Sequence, residues 1–241
     1  PQSVTSIGMS AFENSTGLKE FIFNAENCTT MGSVGYPLFY DCKELTSVKI
    51  GDCVKIIPDN AFSYCRGITS LVIPNSVTFI GVSAFSGCSN LIKLDFNAEN
   101  CTTMGSLATP TSPSFFFFWK LTTINIGDDV KIIPDYAFSG CSYVTALNIG
   151  KNVVSIGKSS FVNFDITSVT IPESVTSIGD GAFNSCSSLS EFNFNARNCS
   201  YMGSSSFPSL IDCQHLVTVK IGSDVETIPD YAFSNCKSIN S

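Results

Sequence analysis

The chain is poor in charge, and in basic charge above all. Thirteen Lys and Arg stand against twenty Asp and Glu, a formal net charge of −7 over 241 residues. Nucleic-acid binding needs a basic footprint to displace phosphate counterions, so no DNA or RNA partner is expected. An anionic membrane surface is disfavoured for the same reason, and the acidic balance reads as solubility rather than partner choice. Histidine is scarcer still, with His215 the only one. No C-x-x-C occurs, and a single His cannot complete a zinc site built from recurring ligands at metal spacing. No run approaches the roughly 18 apolar residues of a membrane helix; the longest aromatic stretch is residues 115–119. The start, Pro1-Gln2-Ser3-Val4, has neither a Met nor the basic-then-apolar layout of a signal peptide. G-x-S-x-G, H-E-x-x-H, G-x-x-x-x-G-K-[ST] and G-x-G-x-x-G are all missing, so the sequence predicts no enzyme and no cofactor.

What the chain has instead is self-similarity. It divides without remainder into ten blocks, 1–23, 24–50, 51–73, 74–96, 97–126, 127–149, 150–171, 172–194, 195–221 and 222–241. Their common pattern is V-x-x-I-[GP]-x-x-A-F-x-x-C-x-x-L-x-x-L-x-I. A higher-order cycle runs through them, opening with Pro1, Asn24, Gly51, again with Pro74, Asn97, Gly127, and again with Pro172, Asn195, Gly222; block 150–171 is extra. The close of a block, as in Leu45-Thr-Ser-Val48-Lys-Ile50, alternates with period two and is β-branched, so it reads as a strand. Val4-Thr-Ser-Ile7 reads as a second, shorter extended segment. Ala-Phe with its downstream Cys suits a short helical or 3₁₀ turn. One block cannot make a core alone; stacked blocks align their Val, Ile, Phe and Leu positions into internal columns. At roughly 4.8 Å per rung, ten rungs make a body roughly 45–50 Å long.

Residues 174–189, Ser-Val-Thr-Ser-Ile-Gly-Asp-Gly-Ala-Phe-Asn-Ser-Cys-Ser-Ser-Leu, resemble the BspA-like class of leucine-rich repeats, and the resemblance extends over essentially the whole chain. It implies a mainly β, right-handed leucine-rich-repeat solenoid with short helical or 3₁₀ turns and a β-sheet on one face. Members occur in surface and secreted proteins of bacteria and some protists, and several are adhesins. The resemblance therefore implies a cell-surface or extracellular location. It implies adhesion only weakly, because function sits on the scaffold's surface rather than in the repeat. The expected domain is one solenoid over 1–241, a monomeric segment of a longer array without caps of its own.

Repeat phase also disposes of the eleven cysteines. Cys42, Cys65, Cys88, Cys141, Cys186, Cys213 and Cys236 share one position, which holds Phe118 and Phe164 in two other blocks. A site that accepts Cys or Phe is apolar. Cys28, Cys101 and Cys199 fall where Val4 and Val77 fall elsewhere. These ten are expected to be buried, inert core thiols of raised pKa. Stacking brings Cys42, Cys65 and Cys88 within disulfide distance, but parallel side chains rarely present the required dihedral. Cys53 alone lies outside the repeating phases.

His215 sits where Glu44 and Lys120 sit in other blocks, a solvated turn position. Asp59, Asp135 and Asp230 recur at one phase, shared with Lys158 and Val82, and suggest turn chemistry or a helix N-cap. Of the sequons at Asn14, Asn27, Asn100 and Asn198, the last three precede buried cysteines and suit turns; Asn14 is the better glycan acceptor.

Two surfaces compete for a partner. Outward strand columns, such as Ile22, Lys49, Val72, Asp95, Asn125, Asn148, Thr170, Asn193, Lys220, form a Ser/Thr/Asn field without an aromatic anchor. Three blocks carry extra residues opposite the strands, at 33–38, 106–114 and 204–209. The middle insertion runs into five aromatics, of which Phe115 and Phe118 match core positions while Phe116, Phe117 and Trp119 are left over. Candidate partner-binding residues are therefore Phe116, Phe117, Trp119, Tyr36 and Phe207. The expected function is recognition of a protein or glycan ligand. A structural spacer is the alternative, and a carbohydrate-active enzyme a remote one.

Overall fold

A computed structural model of the chain describes residues 1–105, 115 and 118–241. The chain winds into a mainly β solenoid of about nine turns. Each turn gives one longer and one shorter strand. The longer ones are Glu20–Phe23, Ser47–Ile50, Ser70–Ile73, Lys93–Phe96, Thr123–Ile126, Ala146–Asn148, Ser168–Ile171, Glu191–Phe194 and Thr218–Ile221. The shorter ones, two residues each, are Ser6–Ile7, Thr30–Met31, Ile56–Ile57, Phe79–Ile80, Thr103–Met104, Ile132–Ile133, Ser155–Ile156, Ser177–Ile178 and Tyr201–Met202. All strand pairs are parallel and in phase with the blocks, so Leu71 lies beside Leu94 and Leu94 beside Ile124.

The helical or 3₁₀ turns expected around Ala-Phe do not form; the described residues there make plain turns. The cause is local. The residue before the Ala position has a left-handed backbone in Ser10, Asn60, Ser83, Tyr136, Ser159 and Tyr231. The residue before the Cys position does the same in Asn14, Asp41, Tyr64, Asn163, Ser185, Asp212 and Asn235. Left-handed residues spaced four apart stop a right-handed helix before it completes a turn. The turns gain cross-rung bonds in exchange: the amides of Asn60, Phe62 and Tyr64 donate to the carbonyls of Val82, Ala84 and Ser86 in the next rung.

Hydrogen-bonded pairing is interrupted at regular places, and proline marks each one. After a short strand the next residue is usually Gly, whose amide donates to the preceding rung's Ile carbonyl. Gly32, Gly81, Gly105, Gly157, Gly179 and Gly203 all make this bond, at 2.8–3.1 Å. In three rungs the residue is Pro58, Pro134 or Pro229, with no N–H to give. Pairing stops there: Thr30–Met31 does not join Ile56–Ile57, and Thr103–Met104 does not join Ile132–Ile133. The long-strand sheet breaks before Ser70–Ile73 and before Ser168–Ile171, the two long strands followed by Pro74 and Pro172. Each Ile-Pro rung follows a block with an insertion. In one of these the insertion takes over the spare acceptor, Ser209 N–H donating to the Met202 carbonyl at 3.3 Å.

The Asn-then-Gly order of the blocks also has a steric origin. A Cβ on Gly51, Gly127 or Gly222 would stand 2.0, 2.4 or 2.7 Å from the Oδ1 of Asn24, Asn97 or Asn195 in the preceding rung. Gly at the head of one rung thus leaves the space that the Asn amide of the preceding rung occupies.

The core is a set of columns. Eight phenylalanines, Phe12, Phe39, Phe62, Phe85, Phe115, Phe138, Phe161 and Phe183, stack ring on ring with centroids 5.1–6.1 Å apart. Leu210 takes the next place in the column. Such a fully buried ring contributes about 1.5–3 kcal/mol by area alone, and each ring contact adds about 0.5–1.5 kcal/mol. Phe115 and Phe118 are buried at the positions their register predicts.

The cysteines form a second column. All eleven are free, and nine are fully buried; Cys53 and Cys236 are half-buried. The thiols of Cys42, Cys88, Cys186 and Cys213 donate to the carbonyls of Phe12, Phe62, Phe161 and Phe183 at 3.0–3.3 Å. Cys28, Cys101 and Cys199 donate within their own rungs, to Thr30, Thr103 and Tyr201. Burial pushes the Cys101, Cys141 and Cys213 thiols up to about 12. Cys186 is raised further by burial and by the neighbouring Cys213.

Two expectations about stability follow from these columns. Phe85→Ala should cost about 3–5 kcal/mol in urea unfolding, since it opens the middle of the ring ladder. Ser160 stands where other rungs hold Ala, and its buried hydroxyl has no partner. Ser160→Ala should therefore be neutral or stabilise by about 1 kcal/mol.

The thiols give a third. A thiol alkylator at pH 8 should label Cys53 first and Cys236 next in the folded chain, and all eleven in urea. Early labelling of Cys141, read by mass spectrometry, would contradict this packing. An unfolded thiol ionises near 9 and the folded Cys101, Cys141 and Cys213 only near 12, so the unfolded chain binds fewer protons between those values. Stability should be intact below pH 9 and fall as pH rises from about 9 to about 12.

Candidate functional site

The long-strand face is occupied with itself. Asn148 donates to Asn125 at 2.7 Å, and Asn125 donates to Asp95 at 2.6 Å. Lys49 pairs with Glu20 at 2.6 Å and Lys220 with Glu191 at 2.8 Å. Hydrogen bonding to Lys49 lowers the Glu20 pKa, and to Lys220 that of Glu191. Ile22 and Val72 are exposed on this face as single residues, which is ordinary for a protein surface.

The turn edge leading into the long strands is different. Trp119 is 58% exposed, Tyr40 53%, Tyr143 47% and Tyr64 44%. Trp119 and Tyr143, from adjacent rungs, have ring centroids 6.1 Å apart. The Arg66 guanidinium lies 5.4 Å from the Tyr64 ring centroid, a cation–π pair. Three shallow depressions meet at Tyr64. One, of about 320 Å³, is lined by Tyr40, Asp41, Lys43, Arg66 and Asn90. A second, of about 440 Å³, is lined by Arg66, Gly87, Ser89 and Trp119. The third, of about 410 Å³, is lined by Ser10, Glu13, Tyr36, Pro37 and Tyr40.

Tyr64 holds these together at a conformational cost. Its φ is 62°, in a column where other rungs place Asn14, Asp41, Gly87, Gly140, Asn163, Ser185, Asp212 and Asn235. Gly, Asn and Asp tolerate the left-handed region, whereas a bulky aromatic there costs about 1–2 kcal/mol. The ring is accommodated because the next rung has Gly87 at the same phase. A Cβ on Gly87 would approach the Tyr64 ring to 2.9 Å.

The five residues singled out from sequence are thus distributed. Tyr36 and Trp119 lie in depressions that share Tyr64. Phe207 is exposed but packs over Gly181, four rungs beyond Trp119, and lines none of the three. Phe116 and Phe117 lie outside the described residues. Tyr40, Tyr64, Arg66 and Tyr143 escaped the sequence reading, which looked for leftovers in insertions. For Tyr64 the signal was present as an aromatic in a turn column otherwise filled, Phe117 aside, by Gly, Ser, Asn and Asp, and for Tyr143 as an aromatic among small or polar residues.

Other sequence candidates turn out to be rung-to-rung ties. His215, exposed, has Nδ1 2.6 Å from the Ser187 carbonyl. Asp59 and Asp135 do not cap helices; each accepts the backbone N–H at the same phase of the next rung, Val82 or Lys158, at 2.7 Å. Asp180 does likewise for Ser204 at 2.8 Å. Among the described residues, no three His, Cys, Asp or Glu side chains are grouped to hold a metal ion. No helix of the described residues is long and apolar enough to cross a membrane.

Several solved structures are similar to this chain. A leucine-rich repeat protein of T. pallidum is 21% identical, with 72% of this chain and 78% of that one covered and a TM-score of 0.53. One from Bacteroides ovatus is 23% identical over 98% of this chain and 69% of that one, TM-score 0.47. A leucine rich cell surface protein of Faecalibacterium prausnitzii is 20% identical over 99% and 68%, TM-score 0.46. No curated protein sequence matches the chain. The family model for the BspA type leucine rich repeat region matches in six copies, over residues 1–112 and 109–240. With its rung phases, its free thiols and its two parallel strand columns, the chain belongs to the BspA-type leucine-rich repeat family.

Proposed function

We propose that the chain is a non-catalytic recognition module of adhesion type, at a cell surface or outside the cell, and that it binds a protein or glycan partner along the turn edge around Tyr64. The observation that carries this reading is the strained, exposed Tyr64 with Arg66 against its ring and Tyr36, Tyr40 and Trp119 around it. Tyr, Trp and Arg are the residues that dominate binding hot spots. A side chain held in a costly backbone conformation, where a cheaper residue would fold better, points to use. The surface location is supported by family membership.

A second reading, a structural spacer, is favoured by the long-strand face, whose polar side chains pair from rung to rung. The two differ in what Tyr64→Asn does. Asn serves this column in three other rungs, so the variant should be as stable as the parent or about 1 kcal/mol more stable. On the recognition reading it loses at least tenfold in affinity for immobilised matrix proteins or arrayed glycans, as does Trp119→Ala. Unchanged binding by both variants, or no partner in either panel, would leave the spacer.

A further inference from the structure

The chemistry of the Tyr64 groove narrows its partner, on the premise that the turn edge is the recognition surface. We infer that the groove takes an acidic oligosaccharide bearing one carboxylate per sugar unit, of the uronic-acid kind. Tyr40, Tyr64 and Trp119 present exposed rings on successive parts of one edge. A sugar ring has flat faces of C–H groups that stack on such aromatics, and shallow open depressions suit it better than a side-chain anchor, which needs a deep pocket.

Cation placement supplies the charge preference. The chain is acidic overall, yet this edge gathers Arg66, Lys43 and Lys120. Arg66 lines two of the three depressions and forms no ion pair with a described carboxylate. Lys120 Nζ is 2.8 Å from Asn90 Oδ1, and Asn90, which lines the first depression beside Arg66, donates to the Arg66 backbone carbonyl at 2.7 Å. A planar guanidinium matches a planar carboxylate with two parallel hydrogen bonds. Density of charge sets the upper limit. Lys43 is paired with Asp41 at 3.3 Å, and Glu13 lines the adjoining depression. A heavily sulfated chain would crowd these carboxylates, whereas a single carboxylate can pair with Arg66, which has no ion-pair partner among the described residues, while Asp41 stays paired with Lys43.

An extended acidic peptide fits less well. Peptides laid along repeat edges draw affinity from main-chain hydrogen bonds. Here the turn amides of Asn60, Phe62 and Tyr64 are already committed to the next rung.

Trp119 is the only tryptophan in the chain, so its fluorescence reports on the groove alone. The full chain is titrated with oligogalacturonate, a neutral cello-oligosaccharide, dextran sulfate and poly-glutamate. Oligogalacturonate should give a saturable change in Trp119 emission at low salt, weakening as salt rises, with at least tenfold weaker binding in the other three arms. Arg66→Gln should weaken oligogalacturonate binding tenfold or more, while Lys151→Gln, a distant lysine paired with Asp128, should leave it unchanged. Thermal unfolding of both variants should match the parent. Equal loss in both variants, equal binding of the neutral sugar, or stronger binding of dextran sulfate or poly-glutamate would overturn the uronic-acid assignment, as would silence in all four arms. Recognition at this edge would survive such a result only if Tyr64→Asn still abolished capture of another partner, which separates the two failures.

Discussion

Neighbouring rungs are held at the spacing of hydrogen-bonded parallel strands, and the rest of the structure answers to that distance. It stacks Phe12 through Phe183 into one ladder, because rings at equivalent positions have nowhere else to go. It also decides which backbone atoms collide. Gly81, Gly157 and Gly179 sit where an added Cβ would come within 2.3–2.5 Å of the preceding rung. Glycine is used there for close approach rather than for a special φ.

The same distance explains why proline is tolerated where it is. Pro58, Pro134 and Pro229 follow the three blocks that carry insertions. In the two described insertions the chain folds back just after the short strand, Ser33 bridging Tyr36 and Gly203 bridging Pro208, in place of the regular path. Unpaired strand positions of this kind invite unwanted pairing, and proline closes them. The solenoid is thus a series of short hydrogen-bonded sheets, bound into one body by a continuous apolar interior.

The thiol column shows how a repeat position can look reactive and be inert. The Sγ atoms of Cys42, Cys88, Cys186 and Cys213 donate to a carbonyl of the preceding rung, and burial penalises the thiolate at Cys42, Cys186 and Cys213. Packing therefore accounts for the cysteines without redox chemistry. The turn edge carries the opposite signature. Tyr64 adds exposed apolar surface and a left-handed aromatic to a position that Asn or Gly fills elsewhere at lower cost. Nothing in the packing of the rungs demands it, and that contrast supports the proposed role of this edge in recognition.

Much of this was legible in the chain itself. Period and phase determined the rungs, the parallel register, the burial of Phe115 and Phe118 and of ten repeat-phase cysteines to differing depth, and the solvated place of His215. These depend only on which residues recur, because a stack of equivalent units puts like beside like. Three things needed the tertiary structure. The Ala-Phe turns are not helical, because two left-handed residues per rung are stabilised by bonds to the next rung that no single block can display. The Asn, Gly order of the blocks is visible as letters, but that the Asn24 amide fills the space beside Gly51, one rung away, is not. Finally, Tyr40, Tyr64, Arg66 and Trp119 come from three different rungs and three different phases, Arg66 and Trp119 sharing one. Repeat phase predicts what lies within a column; only the fold decides which exposed side chains lean across columns to meet.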